Sequence, residues 1–264
     1  AAYNGDTTDA LIGVAGGKVI DFTSSVAVEL FDGLYANDHW RTECYNNRLI
    51  GVNGIDTPWA YNGSTVGATG FSGSGLTLTN LINIAKVRDR LWFCEKNTAD
   101  VWYGAVQAVT GTLTKFQLSQ VTAGGVCMAI GAHSQDAGAG PDDYTVFVMS
   151  TGEIIVYSGD PSTTFSKVGN YRMLSPVGRR CLVNIGGPLA VITRMGLVPI
   201  QAAVSGLALD ILSIGNYGKA GPSIKADIEA NSDVHSWHAV FHEGRVILNA
   251  PITETTSRQW VYNV

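Results

Sequence analysis

Short apolar runs of nearly one form recur along the chain: Leu11-Ile12-Gly13-Val14, Leu49-Ile50-Gly51-Val52, Leu91-Trp92-Phe93-Cys94, Val146-Phe147-Val148-Met149, Leu189-Ala190-Val191-Ile192 and Val246-Ile247-Leu248. Each is bounded by a small or polar residue and followed by a turn-prone cluster. A second run comes next, alternating and ending in an aromatic: Ile20-Asp21-Phe22, Trp59-Ala60-Tyr61, Val101-Trp102-Tyr103, Ile155-Val156-Tyr157 and Trp260-Val261-Tyr262; the fifth copy, Val198-Pro199-Ile200, lacks the aromatic. A continuous apolar run suits a strand covered on both faces, and an alternating run suits one with a covered and a wet face. Each pair therefore predicts a β-hairpin. Gly16-Gly17, Thr151-Gly152 and Met195-Gly196 supply the positive backbone angle that a tight turn requires.

A third strand precedes most hairpins: Trp40 to Tyr45, Leu81 to Ala85, Val126 to Ile130, Cys181 to Ile185 and Trp237 to Phe241. Asn46-Asn47, Arg88-Asp89, Gly186-Gly187-Pro188 and His242-Glu243-Gly244 are the turns that follow them. The repeat is thus three or four antiparallel strands, spaced roughly 40 to 57 residues apart, which is the spacing of propeller blades. One such sheet cannot cover both its faces, so sheets must stack around an axis. The expected fold is all-β, a single β-propeller domain over 1–264 with six blades, or seven if residues outside this stretch belong to it. Ala2-Tyr3-Asn4-Gly5 recurs at Ala60-Tyr61-Asn62-Gly63, and the chain stops at Tyr262-Asn263, the same phase. From this the first residues are expected to complete the last sheet and remove its unpaired edge. Two insertions interrupt the repeat. One is a polar loop at 132–143; the other, at 203–232, contains a helix from Pro222 to Ala230. Both are expected to project and carry contacts.

Composition adds limits. Among 264 residues 45% are apolar, only 15% are charged, and 31 are glycine, which describes a turn-rich globular chain with a weakly charged surface. A net charge of −5 gives no electrostatic reason to hold a phosphate backbone. Cys44, Cys94, Cys127 and Cys181 are far apart, without a C-x-x-C pair, and three lie in apolar runs; buried thiols in a reducing compartment are expected. No apolar stretch approaches the length of a membrane-spanning helix.

The candidate chemistry is sparse. His235, His238 and His242 lie close in sequence, but on a strand His238 and His242 stand about 13 Å apart, too far for one zinc ion. Asp136, Asp142 and Asp143 surround a glycine-rich stretch and could collect calcium; ordinary turn chemistry explains them as well. Lys86, Arg88 and Arg90 alternate and would share one strand face, with Arg179-Arg180 a second basic pair; interface salt bridges are the expected use. Trp59 and Trp260 occupy one repeat position, and Tyr61, Tyr103, Tyr157 and Tyr262 another, so they read as packing rather than as a sugar platform. Trp40 falls outside that rule. Gly67 to Gly75 reads as a flexible connector. No nucleophile elbow, phosphate loop or H-E-x-x-H occurs, so no catalytic, cofactor-binding or metal-binding residue is nominated and no cofactor is expected.

Arg90-Leu91-Trp92-Phe93-Cys94-Glu95-Lys96-Asn97, running on to Val101-Trp102-Tyr103, has a counterpart in a known virion family. So do Gly138 to Tyr144 followed by Ser150 to Tyr157, Pro176 to Cys181, and Val191 to Pro199. The chain resembles phage tail proteins related to the nozzle, or tail stabilisation, propellers of short-tailed phages, over roughly residues 45–264 and most strongly over 88–200. The resemblance implies a virion subunit, assembled in the host cytoplasm into a ring, a hexamer, beneath the portal and adaptor. There it would line or seal the channel through which genomic DNA leaves without specific binding. Family members extend beyond this stretch at both ends, and the family carries over no catalytic residue. A receptor- or glycan-binding propeller is the alternative, which an exposed aromatic cluster near Trp40 would favour. A propeller hydrolase, needing converging carboxylates in the central funnel, comes third.

Overall fold

The fold was obtained as a computed structural model, which describes residues 1–6, 8–35, 39–136, 141–185, 189–194, 196–201, 221–234, 236–253 and 255–263. The chain is an all-β, six-bladed β-propeller of antiparallel strands with one short helical insertion. It divides into two compact units, Ala1–Leu118 and Ser119–Val264, with three blades in each.

In the first unit, blade 1 is the sheet β1 (Ala2–Asn4), β2 (Asp9–Ala15), β3 (Lys18–Asp21), β4 (Val28–Phe31), in that order. Blade 2 is β5 (Arg41–Tyr45), β6 (Arg48–Val52), β7 (Trp59–Tyr61), β8 (Val66–Ala68). A two-stranded parallel pair joins β9 (Phe71–Ser72) to β13 (Gly111–Thr112). Blade 3 is β10 (Leu81–Val87), β11 (Arg90–Glu95), β12 (Val101–Tyr103), β14 (Thr114–Phe116). In the second unit, blade 4 is β15 (Cys127–Asp136), β16 (Pro141–Met149), β17 (Glu153–Gly159), β18 (Phe165–Arg172). Blade 5 is β19 (Leu182–Asn184), β20 (Leu189–Thr193), β21 (Gly196–Pro199), and blade 6 is β22 (His238–His242), β23 (Arg245–Pro251), β24 (Ser257–Asn263).

The apolar runs form the second strand of each blade because a strand between two packed sheets must be apolar on both faces. β6 illustrates this. Leu49 packs with Tyr3, Trp40 and Trp59 on the blade 1 side, while Ile50 and Val52 pack with Leu81, Phe93 and Trp102 on the blade 3 side. Gly51 lies on the Trp59 side, where an added Cβ would overlap the indole. In the second unit one core joins Val146, Val148, Ile154, Val191, Ile224, Trp237 and Leu248.

Several expectations are corrected. The first residues do not complete the last sheet: Ala2–Asn4 pair with Asp9–Leu11 inside blade 1, because the Gly5 N–H bonds the Thr8 carbonyl at 3.0 Å and turns the chain straight back. The two Tyr-Asn-Gly strings instead meet in space, Tyr3 against Tyr61 edge-on at 5.1 Å. The supposed loop at 132–143 is a hairpin extension in which Ser134 pairs Asp143 and Asp136 pairs Pro141; residues 137–140 lie outside the described residues. Backbone pairing there prevails over Asp/Gly composition. Gly67 to Gly75 is not a flexible connector, since it holds part of β8 and all of β9, and buried Phe71 meets Phe93 at 5.2 Å.

The helix α1 (Gly221–Asn231) forms where Pro222 starts it, and Ile224 and Ile228, one turn apart, face the core. It does not project as expected but packs on β21 and β23. Asp227 fastens it, accepting two bonds from the Arg258 guanidinium (2.8 and 3.1 Å) and one from the Trp260 indole N–H (2.8 Å). The rest of the 203–232 insertion before Gly221 lies outside the described residues.

Candidate functional site

Between the outer strands of blades 1 and 2 lies a groove of about 280 Å³, lined by Phe31, Gly33 and Leu34 from one side and by Asp56 to Trp59 and Val66 to Ala68 from the other. β4 and β8 are the last strands of their sheets, so each keeps one backbone edge outside the ladder. Asp56 closes one end. It accepts the Tyr35 N–H at 3.0 and 3.1 Å and the Asn53 amide at 2.7 Å. Apolar exposure is concentrated on this blade: Leu11, Phe22, Val26, Val28, Phe31 and Tyr35 are all exposed, Tyr35 at 59% and Val26 at 70%. Phe31 lines the groove, whereas Leu11 and Phe22 are on the opposite face of the sheet from Ile12 and Val19, since a Cβ at Gly13 would touch the Phe22 ring.

The innermost strands of the first unit bring a second polar group together. Glu43 on β5 sits among Arg41 and Lys86, and the Lys86 backbone N–H donates to it. Burial raises the Glu43 pKa above its ordinary 4.5, opposed by Arg41, by that hydrogen bond and by the Lys86 charge. The folded protein therefore holds this proton more tightly than the unfolded chain. Its contribution to stability is greatest below about pH 4.5 and declines as pH rises through the folded value. Glu43→Gln is expected to raise the thermal midpoint at pH 7 and flatten its fall above pH 4.5. A lower midpoint at pH 7 would mean that the pairing with Arg41 and Lys86 outweighs the cost of burial.

The residues singled out in the sequence are scattered. His238 bonds the Ser236 carbonyl oxygen (2.8 Å) and the Asn249 amide (3.0 Å), whereas His242, at the other end of β22, lies 3.8 Å from Glu243; His235 is outside the described residues. Among the described residues no three metal-binding side chains converge. The side chains of Asp136, Asp142 and Asp143 are likewise outside the described set. Lys86, Arg88 and Arg90 do not share a strand face, because Arg88 turns the hairpin with φ +52°. Lys86 lies over the Tyr45 ring, and buried Arg90 donates to the Gly104 carbonyl at 2.9 Å. Arg179 and Arg180 line a small cavity of about 170 Å³ beside Trp237. Cys44, Cys94, Cys127 and Cys181 are reduced thiols, the last three buried.

The repeated aromatics are packing residues: Trp59 and Tyr61 are buried, Trp92 meets Tyr103 at 5.0 Å, and Tyr157 stacks on Phe165 at 4.6 Å. Trp40 is only 6% exposed, tilted against Trp59 at 5.9 Å, so it offers no exposed aromatic platform. Sequence reasoning missed the groove. Its parts are short and distant in the chain, and Gly67 was set aside within a connector.

No protein-family model matches the chain. No curated protein matches it either. Among solved structures, the chain is similar to BBS1N in complex with ARL6DN (13% identity, TM-score 0.47), covering 75% of this chain but 62% of that one, less than two thirds of its length. It is also similar to the computationally designed Ika8 protein (11%, 98% and 76% covered, TM-score 0.48) and to AztD from Citrobacter koseri (11%, 98% and 69%, TM-score 0.44). None of the three bears on function.

Proposed function

We propose that this chain is a binding propeller, a scaffold rather than an enzyme, which docks another protein on the outer rim of its first two blades. The observation that carries this reading is the apolar groove between the outer strands of blades 1 and 2, with half-exposed Phe31 in its wall and exposed Val26, Val28 and Tyr35 on the same blade. A photo-reactive amino acid at Phe31 is expected to crosslink one discrete protein in the cells or particles that contain the chain, and one at exposed Val168 is not. Equal labelling at both positions, or none at Phe31, contradicts the reading.

A second reading places the chain in a phage tail as a self-associating ring subunit, hexameric, below the portal and adaptor. The ordered motifs of residues 88–200 favour it. It is compatible with docking, because a ring subunit must grip its neighbours. Purified particles should then contain the chain in a ring around the DNA exit channel, and particles without it would remove this reading. The glycan-binding variant loses its main support with the burial of Trp40. A hydrolase would need paired carboxyls, whereas β1, β5 and β10, the innermost strands of the first unit, carry one carboxyl, Glu43, beside two cations.

A further inference from the structure

We infer that the cavity beside Trp237 in the second unit is a binding site for a single phosphate group, held by Arg179 and Arg180. This goes beyond docking on blades 1 and 2, since it concerns other blades and a different class of ligand.

Three observations combine. The first is place. The cavity lies where the innermost strands of three successive blades begin: Met128 is at the start of β15, Arg179 and Arg180 come just before β19, and Ser236 and Trp237 just before β22. β19 lies beside both β15 and β22, so the three approaches converge, and strands fix the walls more firmly than a loop would. The volume, about 170 Å³, is below the roughly 300–1,000 Å³ of drug-sized sites and suits a small oxyanion with its waters. Gly178 keeps it open, because a Cβ built there would meet nothing within 4 Å.

The second is chemistry. Neighbouring residues of a strand face opposite sides, but Arg179 and Arg180 occupy a turn, and both line the cavity. The Arg180 Nε is closed to solvent, which places that side chain in the interior. A guanidinium carries five N–H donors, so it binds an oxyanion along with any other partners. Two such forks match the three oxygens and double charge of a phosphate better than the two oxygens and single charge of a carboxylate. Ser232 and Ser236 add hydroxyls to the lining. Ser236 is held at φ +89°, and strained positions of this kind cluster at ligand sites.

The third is charge. Asp233 is the one carboxylate among the described lining residues; its side chain is 94% exposed, at the mouth, and lies 3.6 Å from Arg194. Cavity and rim therefore hold three arginines against one carboxylate, on a chain of net charge −5. The C-terminal end of α1 is close by, but the Asn231 carbonyl there is occupied by the Trp237 indole N–H (2.9 Å) and the Val234 N–H (3.0 Å).

Calorimetric titration of the full chain with inorganic phosphate, in about 150 mM NaCl to screen general attraction, tests the site. One saturable site with Kd below about 1 mM is expected. Acetate and dimethyl phosphate, each with one charge and fewer free oxygens, should bind at least about tenfold more weakly. Glycerol 3-phosphate identifies the source. Binding equal to that of phosphate assigns the terminal phosphate of a larger molecule, and much weaker binding assigns the free ion; either supports the site.

Two variants localise it. Ser236→Gly removes a hydroxyl and relieves the backbone, so it should weaken binding without lowering the thermal midpoint. Ser236→Asp sets a carboxylate beside the arginines and should abolish binding. The unmodified chain supplies a readout independent of folding: phosphate at about ten times its Kd should slow phenylglyoxal modification of Arg179 about tenfold and leave exposed Arg245 unaffected. No saturable binding, equal binding of acetate, undiminished binding by a folded Ser236→Asp variant, or no protection of Arg179 would each overturn the inference.

Discussion

Replacing Gly152 with valine is expected to cost the second unit more than about 3 kcal/mol, through backbone strain plus a clash that no rotamer can relieve. Gly152 sits in the turn between β16 and β17 at φ +85°. Its N–H donates to the Met149 carbonyl and its carbonyl accepts from the Met173 N–H, both at 2.9 Å, so its position is fixed from two sides. An added Cβ would overlap the Met173 carbonyl oxygen and lie 2.8 Å from the Leu174 carbonyl carbon. Both are main-chain atoms. Gly16→Val is the control, since Gly16 also has a positive φ (+58°) but nothing within 4 Å of its Cβ position. Its cost should stay near the roughly 1–2 kcal/mol of the left-handed conformation alone. Denaturant unfolding of both variants measures the difference. Equal losses would mean that the turn and the Met173 segment are not in contact.

Trp102→Ala is expected to destabilise the first unit by roughly 3–5 kcal/mol. The indole is 1% exposed in the core formed by Ile50, Phe71, Leu91, Phe93 and Leu113, with Lys115 over its face at 5.8 Å. Its N–H donates to the Glu95 carboxylate at 2.9 Å. Truncation would leave a cavity and strip that carboxylate of a donor. Trp102→Phe restores most of the apolar contact and should recover all but about 1–2 kcal/mol, the scale of the lost hydrogen bond. A Trp102→Ala loss below about 1 kcal/mol would contradict the packing described for blades 2 and 3.

The hairpins were legible because a strand sandwiched between sheets cannot hide its character: every residue from Val146 to Met149 is buried, so both parities are apolar. Turns written in glycine, such as Thr151-Gly152, were legible for the same local reason. What composition could not reveal was pairing decided elsewhere in the fold. Ser134 to Asp136 and Pro141 to Asp143 look like loop residue by residue, yet their backbones pair across the hairpin. Lys86, Arg88 and Arg90 fit a strand's period, but Arg88 is the turn.

The groove was hidden for a different reason. Phe31, Trp59 and Gly67 acquire meaning only when two outer strands lie side by side.

Hydrogen–deuterium exchange of the free, intact protein, read at the level of short peptides, tests the account most directly. Protection should peak six times along the chain, at β2, β6, β11, β16, β20 and β23, with the outward amides of β4 and β8 exchanging quickly. Slow exchange throughout β4 and β8, equal to that of β6, would contradict it, because those edges would then already be covered and no surface would remain for a partner.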